Sequence, residues 1–309
     1  MKLLSVSVAI GIVLGLACCK NSKSREHENP KNNFPVIKIK GSESELNLTK
    51  FLTDEFKKKY PEVLIDLSGG GSGVGIEALI NDEIQIANSS RPISEAEFIK
   101  GEKKGVVLVQ VIIALDAVAI ITHPETGIDS LSLIQVKEIF KGTIKNWKEL
   151  GGSDIPIRIF GRNNNSGTAN YLKRRLMIDD YSKEIIIKNE NSEIIESVKN
   201  QKGAISYVSR GSIMGVNGKP NSSVWAVNIY YDGGKAYSPY DLEAVKSGEY
   251  SLNRPLYQYV KGLPKGICFD LIQFELENNQ QQNLSLHGYL PISAIHKTIN
   301  KKNIKDLNL

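Results

Sequence analysis

Four short stretches of the chain share one composition: "KGSESEL" (40–46), "SGGGSGVG" (68–75), "NSSRPIS" (88–94) and "GRNNNSGT" (161–168). Each sets serine or threonine, usually beside glycine, where an apolar run ends or a helical pattern begins. Glycine lets backbone approach a ligand closely, and such turns aim several N–H groups into one concavity. Hydroxyls add donors without bulk. Two stretches add an arginine, Arg91 and Arg162, whose planar fork suits a tetrahedral oxyanion. A helix start with free N–H groups strengthens the same preference. Taken singly, each stretch reads as an ordinary glycine turn or serine cap. Four of them at strand–helix junctions, two with arginine, point to one shared anion site. Between Arg162 and Ser166 stand Asn163, Asn164 and Asn165, which favour a tight turn and leave the arginine's donors for a ligand.

The elements that must position these loops alternate as in an α/β protein. Apolar runs predict strands at 36–40, 63–69, 84–90, 155–161, 203–209 and 255–261. The long run 106–124 reads as two strands separated near Leu115-Asp116; its Val and Ile content, with Gln110 and Asp116 inside it, argues against a membrane helix. Amphipathic spacing predicts helices over 45–61, 74–82, 132–140, 166–177, 190–201 and 269–280. The carboxyl edge of such a sheet is where ligand loops converge.

Composition narrows the chemistry. The 309 residues carry 39 basic and 34 acidic side chains, a formal charge of +5 that is too small and too dispersed for nucleic acid or a polybasic membrane patch. A mildly positive cleft would still attract small anions. No dinucleotide or P-loop fingerprint is present, the four histidines are dispersed without metal-ligand spacing, and no nucleophile elbow is formed. The readings are therefore no catalytic residues, no metal and no cofactor. At the N-terminus, Lys2 precedes an apolar run from Leu3 to Ala17, too short for a confident span and suited to a signal-peptide core over 1–17. The run ends at Ala17-Cys18-Cys19, which resembles a lipobox, with Cys18 the expected lipidation site. Residues 18–33 then read as a flexible tether. Cys268 is the only cysteine in the body, so no disulfide forms there; its apolar setting predicts a packed thiol.

Along most of the mature chain the sequence resembles the phosphate-binding proteins of ABC phosphate importers, the PstS family. The resemblance runs through "IKGSESEL", "GGGSGVGI", "IANSSRPIS", "LDAVAIITHP", "IFKGTIKNWKELGG", "RNNNSGT", "GAISYVS" and "SGEYSLNRPLYQYVKG". It implies a two-lobed periplasmic-binding-protein fold of type II, with residues 34–114 plus 254–309 in one lobe, 115–253 in the other, and a hinge between. It also implies phosphate contacts from Ser44 and the backbone N–H of Glu45, from Ser72, and from Ser90 beside Arg91. Arg162, Ser166, Gly167 and Thr168 would close on the ligand from the second lobe. The implied partners are inorganic phosphate, the permease subunits of an ABC transporter, and the membrane through the lipid anchor, for a monomer facing the periplasm or exterior. Some members of the family carry an aspartate where Ser90 stands, so discrimination against sulfate is the property this chain secures least. Two alternatives stay open: a surface lipoprotein of this fold serving adhesion or sensing, and a binder of another tetrahedral oxyanion such as sulfate. A hydrolase or transferase on the same scaffold lacks a nucleophile–base pair.

Overall fold

A computed structural model describes residues 35–215, 218–231 and 233–309. The expected signal peptide, tether and Cys18 lie outside the described residues. No helix among the described residues is long and apolar enough to cross a membrane.

The first part of the chain alternates strand and helix: β1 (Val36–Gly41), α1 (Leu46–Lys59), β2 (Leu64–Gly70), α2 (Ser72–Ile80), β3 (Ile86–Ser89), α3 (Glu95–Lys103) and the long β4 (Leu108–Thr122). Helix α1 follows a single 3-10 turn at Glu43–Glu45 and buries Leu48, Leu52 and Phe56, one face at four-residue spacing. The middle supplies β5 (Ser130–Ser132), α4 (Leu133–Lys141), β6 (Arg158–Arg162), α5 (Gly167–Leu176), β7 (Ile186–Lys188), α6 (Asn191–Asn200) and β8 (Ala204–Ser209). Then come β9 (Trp225–Ala226), β10 (Asn228–Tyr230), α7 (Leu242–Ser247), β11 (Asn253–Lys261), α8 (Gly266–Glu275), α9 (Asn278–Asn283) and α10 (Ala294–Asn303).

One mixed sheet runs β2-β1-β3-β11-β4-β8-β6-β7, with β9 also on β4, and β10 pairs with β5 apart from it. Strands β1, β2 and β3 are parallel, as are β6, β7 and β8, which is the pattern that strand–helix–strand connections produce. Antiparallel β11 and β4 join the two parallel sets. The first half of β4 pairs with β11 as far as Ala117, and its second half pairs with β8 from Val118 onward. The fold is a two-lobed α/β architecture with separate apolar cores. One core draws on 37–114 and 256–307, including Ile39, Leu52, Ile76 and Tyr259. A second draws on 117–252 with Leu290, around Phe140, Trp147 and Tyr207, and a smaller cluster around Ile121 and Val208 lies beside it.

Two expectations change. Within the run 106–124 one continuous strand, β4, covers 108–122 with no break at Leu115-Asp116. Asp116 stays inside because its charge is paired within the fold, so the strand has no need to interrupt there. The helix expected over 269–280 is two helices, α8 and α9, divided at Leu276-Glu277. Strands β5, β7, β9 and β10 and helices α3, α7 and α10 had no reading from the sequence. Most are short, and a three-residue strand offers no period to detect.

Candidate functional site

The four loops converge. Gly41 closes β1 with φ near +140°, and a Cβ there would run into the Asn88 carbonyl, so loops one and three can abut only with glycine at this position. Ser42 N–H donates to Asn88 O at 2.9 Å, tying the same two loops together. Ser44, almost wholly buried, holds its Oγ 2.8 Å from Thr168 Oγ1 across the cleft. Gly71, with φ near +102°, turns the chain into α2, whose first residue is Ser72. Ser72 Oγ accepts from the Ser90 N–H at 3.1 Å and lies 3.5 Å from Ser90 Oγ.

The fourth loop meets them from the other core. Asn163 Oδ1 accepts from the Asn165 N–H at 3.0 Å, a side chain folding back on its own turn. Ser166 caps α5 by accepting from the Ala169 N–H at 3.2 Å. Gly167 opens the helix beside the serines, and a Cβ at this position would run into both the Ser72 and Ser90 hydroxyls. The Gly73 N–H donates to Asn165 O at 3.0 Å, so the loops touch through backbone as well. The result is a closed seat bounded by the hydroxyls of Ser44, Ser72, Ser90 and Thr168 and by the N-terminus of α5.

The arginines divide. Arg162 ends β6, 3% exposed, and donates from Nη1 to Asn191 Oδ1 at 2.7 Å. Its Nε and Nη2 have no hydrogen-bond partner among the described residues. Burial pushes its pKa down, and the carboxylate of Glu43 opposes that shift. Buried guanidinium donors without acceptors are rare, and they fit a group waiting for an anion. Arg91 is committed elsewhere: its fork grips Glu97 at 2.7 and 2.6 Å and also donates to Pro92 O at 2.9 Å. Burial would push the Glu97 carboxyl up, but hydrogen bonds from Arg91 and the Ser94 backbone outweigh it and hold the pKa below its ordinary range. Glu45 turns its backbone N–H onto Ser42 O at 3.1 Å. Its carboxyl is fully buried with both oxygens unpartnered among the described residues, and burial pushes its pKa well up.

The sequence reading did not place Arg254, Asp116, Ser209 or Arg210 in the site. Arg254, at the start of β11, donates from Nη2 to Ser44 Oγ at 3.0 Å and Thr168 Oγ1 at 3.1 Å, and from Nη1 to Ser90 O at 3.2 Å. It thereby touches loops one, three and four at once. Its counter-charge is Asp116, reached at 3.1 Å from Nε and 2.9 Å from Nη2. Ser209 Oγ donates to the other carboxylate oxygen at 2.7 Å. Complete burial pushes the Asp116 carboxyl up against the pull of Arg254. Arg210, also buried, has Nε and Nη1 without partners among the described residues; burial lowers its pKa and Asp116 counteracts this. With Arg91 paired to Glu97 and Arg254 to Asp116, the buried Arg162 and Arg210 are left without an ion pair among the described residues, an arrangement that favours an anion. A lone charge inside an apolar run, as at Asp116, was the available signal, because such residues are seldom buried unpaired.

The chain matches the PBP superfamily domain over residues 23–274. It is 26% identical over 301 residues to the phosphate-binding protein PstS of Bacillus subtilis, covering 96% of this chain and 95% of the relative. It is 29% identical over 287 residues to the phosphate-binding protein PstS of Pseudomonas aeruginosa, covering 87% and 86%. Among solved structures it is similar, with TM-score 0.73 and 28% identity, to one described as a phosphate ABC transporter substrate-binding protein with bound phosphate, from Clostridium perfringens. That similarity covers 84% of this chain and 100% of the other.

Proposed function

The chain belongs to the PBP superfamily, and from that membership we propose that it captures inorganic phosphate outside the cytoplasmic membrane and delivers it to an ABC importer. The observation that carries the reading is Arg162: a buried guanidinium with two nitrogens unpartnered, at the edge of a seat of four hydroxyls. The relatives named for phosphate and the neighbour solved with phosphate support the choice among tetrahedral anions.

In this reading Ser44, Ser72, Ser90 and Thr168 donate hydroxyl hydrogen bonds to phosphate oxygens. The Gly167 and Thr168 N–H groups at the start of α5 add backbone donors and the positive end of the helix dipole. Arg162 supplies the charge, and Arg254 holds Ser44 and Thr168 in place while Asp116 fixes its orientation. Ser166 acts as the cap that presents the helix start. Arg91 stays with Glu97 and braces the third loop. The lobes divide as 34–114 with 254–309 and 115–253, and they hinge where β4 and β11 cross between cores. Lipid on Cys18 tethers a monomer to the membrane surface within reach of the permease. The protein binds and releases its ligand unchanged.

Calorimetric titration with phosphate and sulfate tests the reading. Phosphate is expected to bind with a single-site isotherm. With a hydroxyl at Ser90, no carboxylate stands at that position to repel a fully deprotonated anion, so measurable sulfate binding is also expected, weaker than phosphate. Absence of phosphate binding at neutral pH would overturn the assignment.

A further inference from the structure

A cavity of about 390 Å³ lies between α5 and the start of β11. Its size falls within the range of small-molecule sites, about 300–1,000 Å³. It is a compartment of its own. Ser90 and Arg254 stand in its wall, and the hydrogen bond from Arg254 Nη1 to Ser90 O at 3.2 Å closes that wall toward the hydroxyl seat. Its sides come from both cores: Tyr257 belongs to the first, and Tyr171 packs against the second. Pro92 and Pro255 extend this apolar lining. Tyr171 is held in place from two directions. Its hydroxyl donates to Asn253 O at 2.6 Å, and the Arg254 guanidinium carbon lies 5.3 Å from its ring centroid.

No carboxylate lines the cavity among the described residues, and its positive charges are not all paired. Arg91 is taken by Glu97 and Arg254 by Asp116. Arg175 meets only neutral groups: its Nε donates to Ser251 O at 2.8 Å, and its Nη2 meets the Tyr231 hydroxyl. Arg174 is exposed and has no hydrogen bond or ion pair among the described residues. It acts on the aromatic wall: burial pushes the Tyr257 pKa up, and the charges of Arg174 and Arg254 pull it back. A second hollow, of about 370 Å³, shares Arg91, Pro92 and Arg174 with the first, so Arg174 stands where the two meet. Two tyrosine rings beside two guanidinium groups without counter-ions complement a flat apolar body that carries acid groups. A guanidinium fork holds a carboxylate by two parallel hydrogen bonds, and a ring packs on tyrosine edge-on or offset. We propose that this cavity is a second binding site, separate from the seat, for a small aromatic acid. Its ring would lie against Tyr171 and Tyr257, and its carboxylates would meet Arg174 and Arg175.

The test titrates the full-length protein calorimetrically with isophthalate, succinate and benzamide, beside its Arg174→Glu and Arg162→Met variants. Isophthalate supplies a ring and two carboxylates, succinate the carboxylates alone, and benzamide the ring without charge. Thermal melts check that both variants fold. Wild type should bind isophthalate at one site, at least about threefold more tightly than succinate, because ring packing adds to charge pairing. Benzamide should not bind measurably. Arg174→Glu should weaken isophthalate binding by about tenfold or more, because an attractive charge becomes a repulsive one. Arg162→Met alters the seat alone and should leave isophthalate affinity within about threefold of wild type. Absence of isophthalate binding overturns the inference, as does binding that Arg174→Glu leaves unchanged. Loss of isophthalate binding in Arg162→Met would place the acid in the seat and overturn it as well. Succinate binding as tight as that of isophthalate, or benzamide binding that matches it, would remove the aromatic wall or the arginines from the site and count equally against it. None of these readouts involves phosphate, so their outcome and that of the phosphate titration are independent.

Discussion

Replacing Arg162 with methionine should weaken phosphate binding while leaving the unliganded protein at least as stable. The side chain is buried, and one neutral acceptor, Asn191 at 2.7 Å, receives Nη1 while Nε and Nη2 have no partner among the described residues. A charge-assisted hydrogen bond contributes about 1.5–3 kcal/mol. Two such bonds to one dianion, reduced by imperfect geometry and by the hydration the anion loses, leave a net of about 2–4 kcal/mol. That is roughly 30-fold to 1,000-fold in Kd. In the unliganded state the same guanidinium is a desolvated charge with no ion pair among the described residues, and an apolar group of similar volume is often neutral or stabilising there by about 1–4 kcal/mol. Calorimetry gives the first quantity, and thermal melts with and without phosphate give the second. Wild type should gain about 4 kcal/mol from phosphate at a thousand times Kd, and the variant should lose most of that gain. An affinity within about threefold of wild type would remove Arg162 from the site. A variant that melts well below wild type without ligand would show that the arginine serves packing instead.

Gly167→Ala should weaken phosphate binding by at least about tenfold with little loss of fold, because its Cβ displaces the Ser72 and Ser90 hydroxyls while the helical backbone accepts alanine; calorimetry beside a thermal melt separates the two effects. Asp116→Ala should destabilise the unliganded protein by about 3–5 kcal/mol by stranding Arg254, and saturating phosphate should recover more stability in the variant than in wild type, read as a larger ligand-induced rise in Tm. Glu275 is fully buried on α8 with one hydrogen bond, from Gln258 Nε2 at 3.2 Å, and burial pushes its pKa from 4.5 up to about 8. The folded state thus holds a proton that the unfolded chain has released, so the stability from this group is complete below about pH 4.5 and is lost as pH rises toward 8, at up to about 1.4 kcal/mol per unit. Glu275→Gln should flatten that slope and exceed wild type in stability above pH 8, measured by denaturant titration across pH 5–9.

What the sequence by itself determined is local. Glycine at 71 takes a left-handed backbone at a helix start, and serine at 166 and asparagine at 163 form a cap and a turn through contacts within three residues, so residue types and spacing were enough to mark the loops. The anion chemistry was legible for the same reason, since small hydroxyls, a helix start and an arginine carry their preference wherever they stand. The tertiary structure decided which charges the site uses. Arg254 and Asp116 lie 138 positions apart and meet only because β4 and β11 pair antiparallel, and no local pattern foretells that register. Arg91 and Arg162 look alike in sequence, each beside a serine-rich loop, yet one is claimed by Glu97 and the other is left with open donors. Glu97 sits only six residues from Arg91, but it reaches the guanidinium because α3 turns it back, and that short polar helix has no apolar period to announce it. The continuity of β4 was likewise hidden, because an aspartate in an apolar run signals a break until its partner from another strand is in place. A residue's chemistry is a property of its type, whereas its availability depends on what the fold brings within about 3 Å of it, and only the packed chain sets that distance.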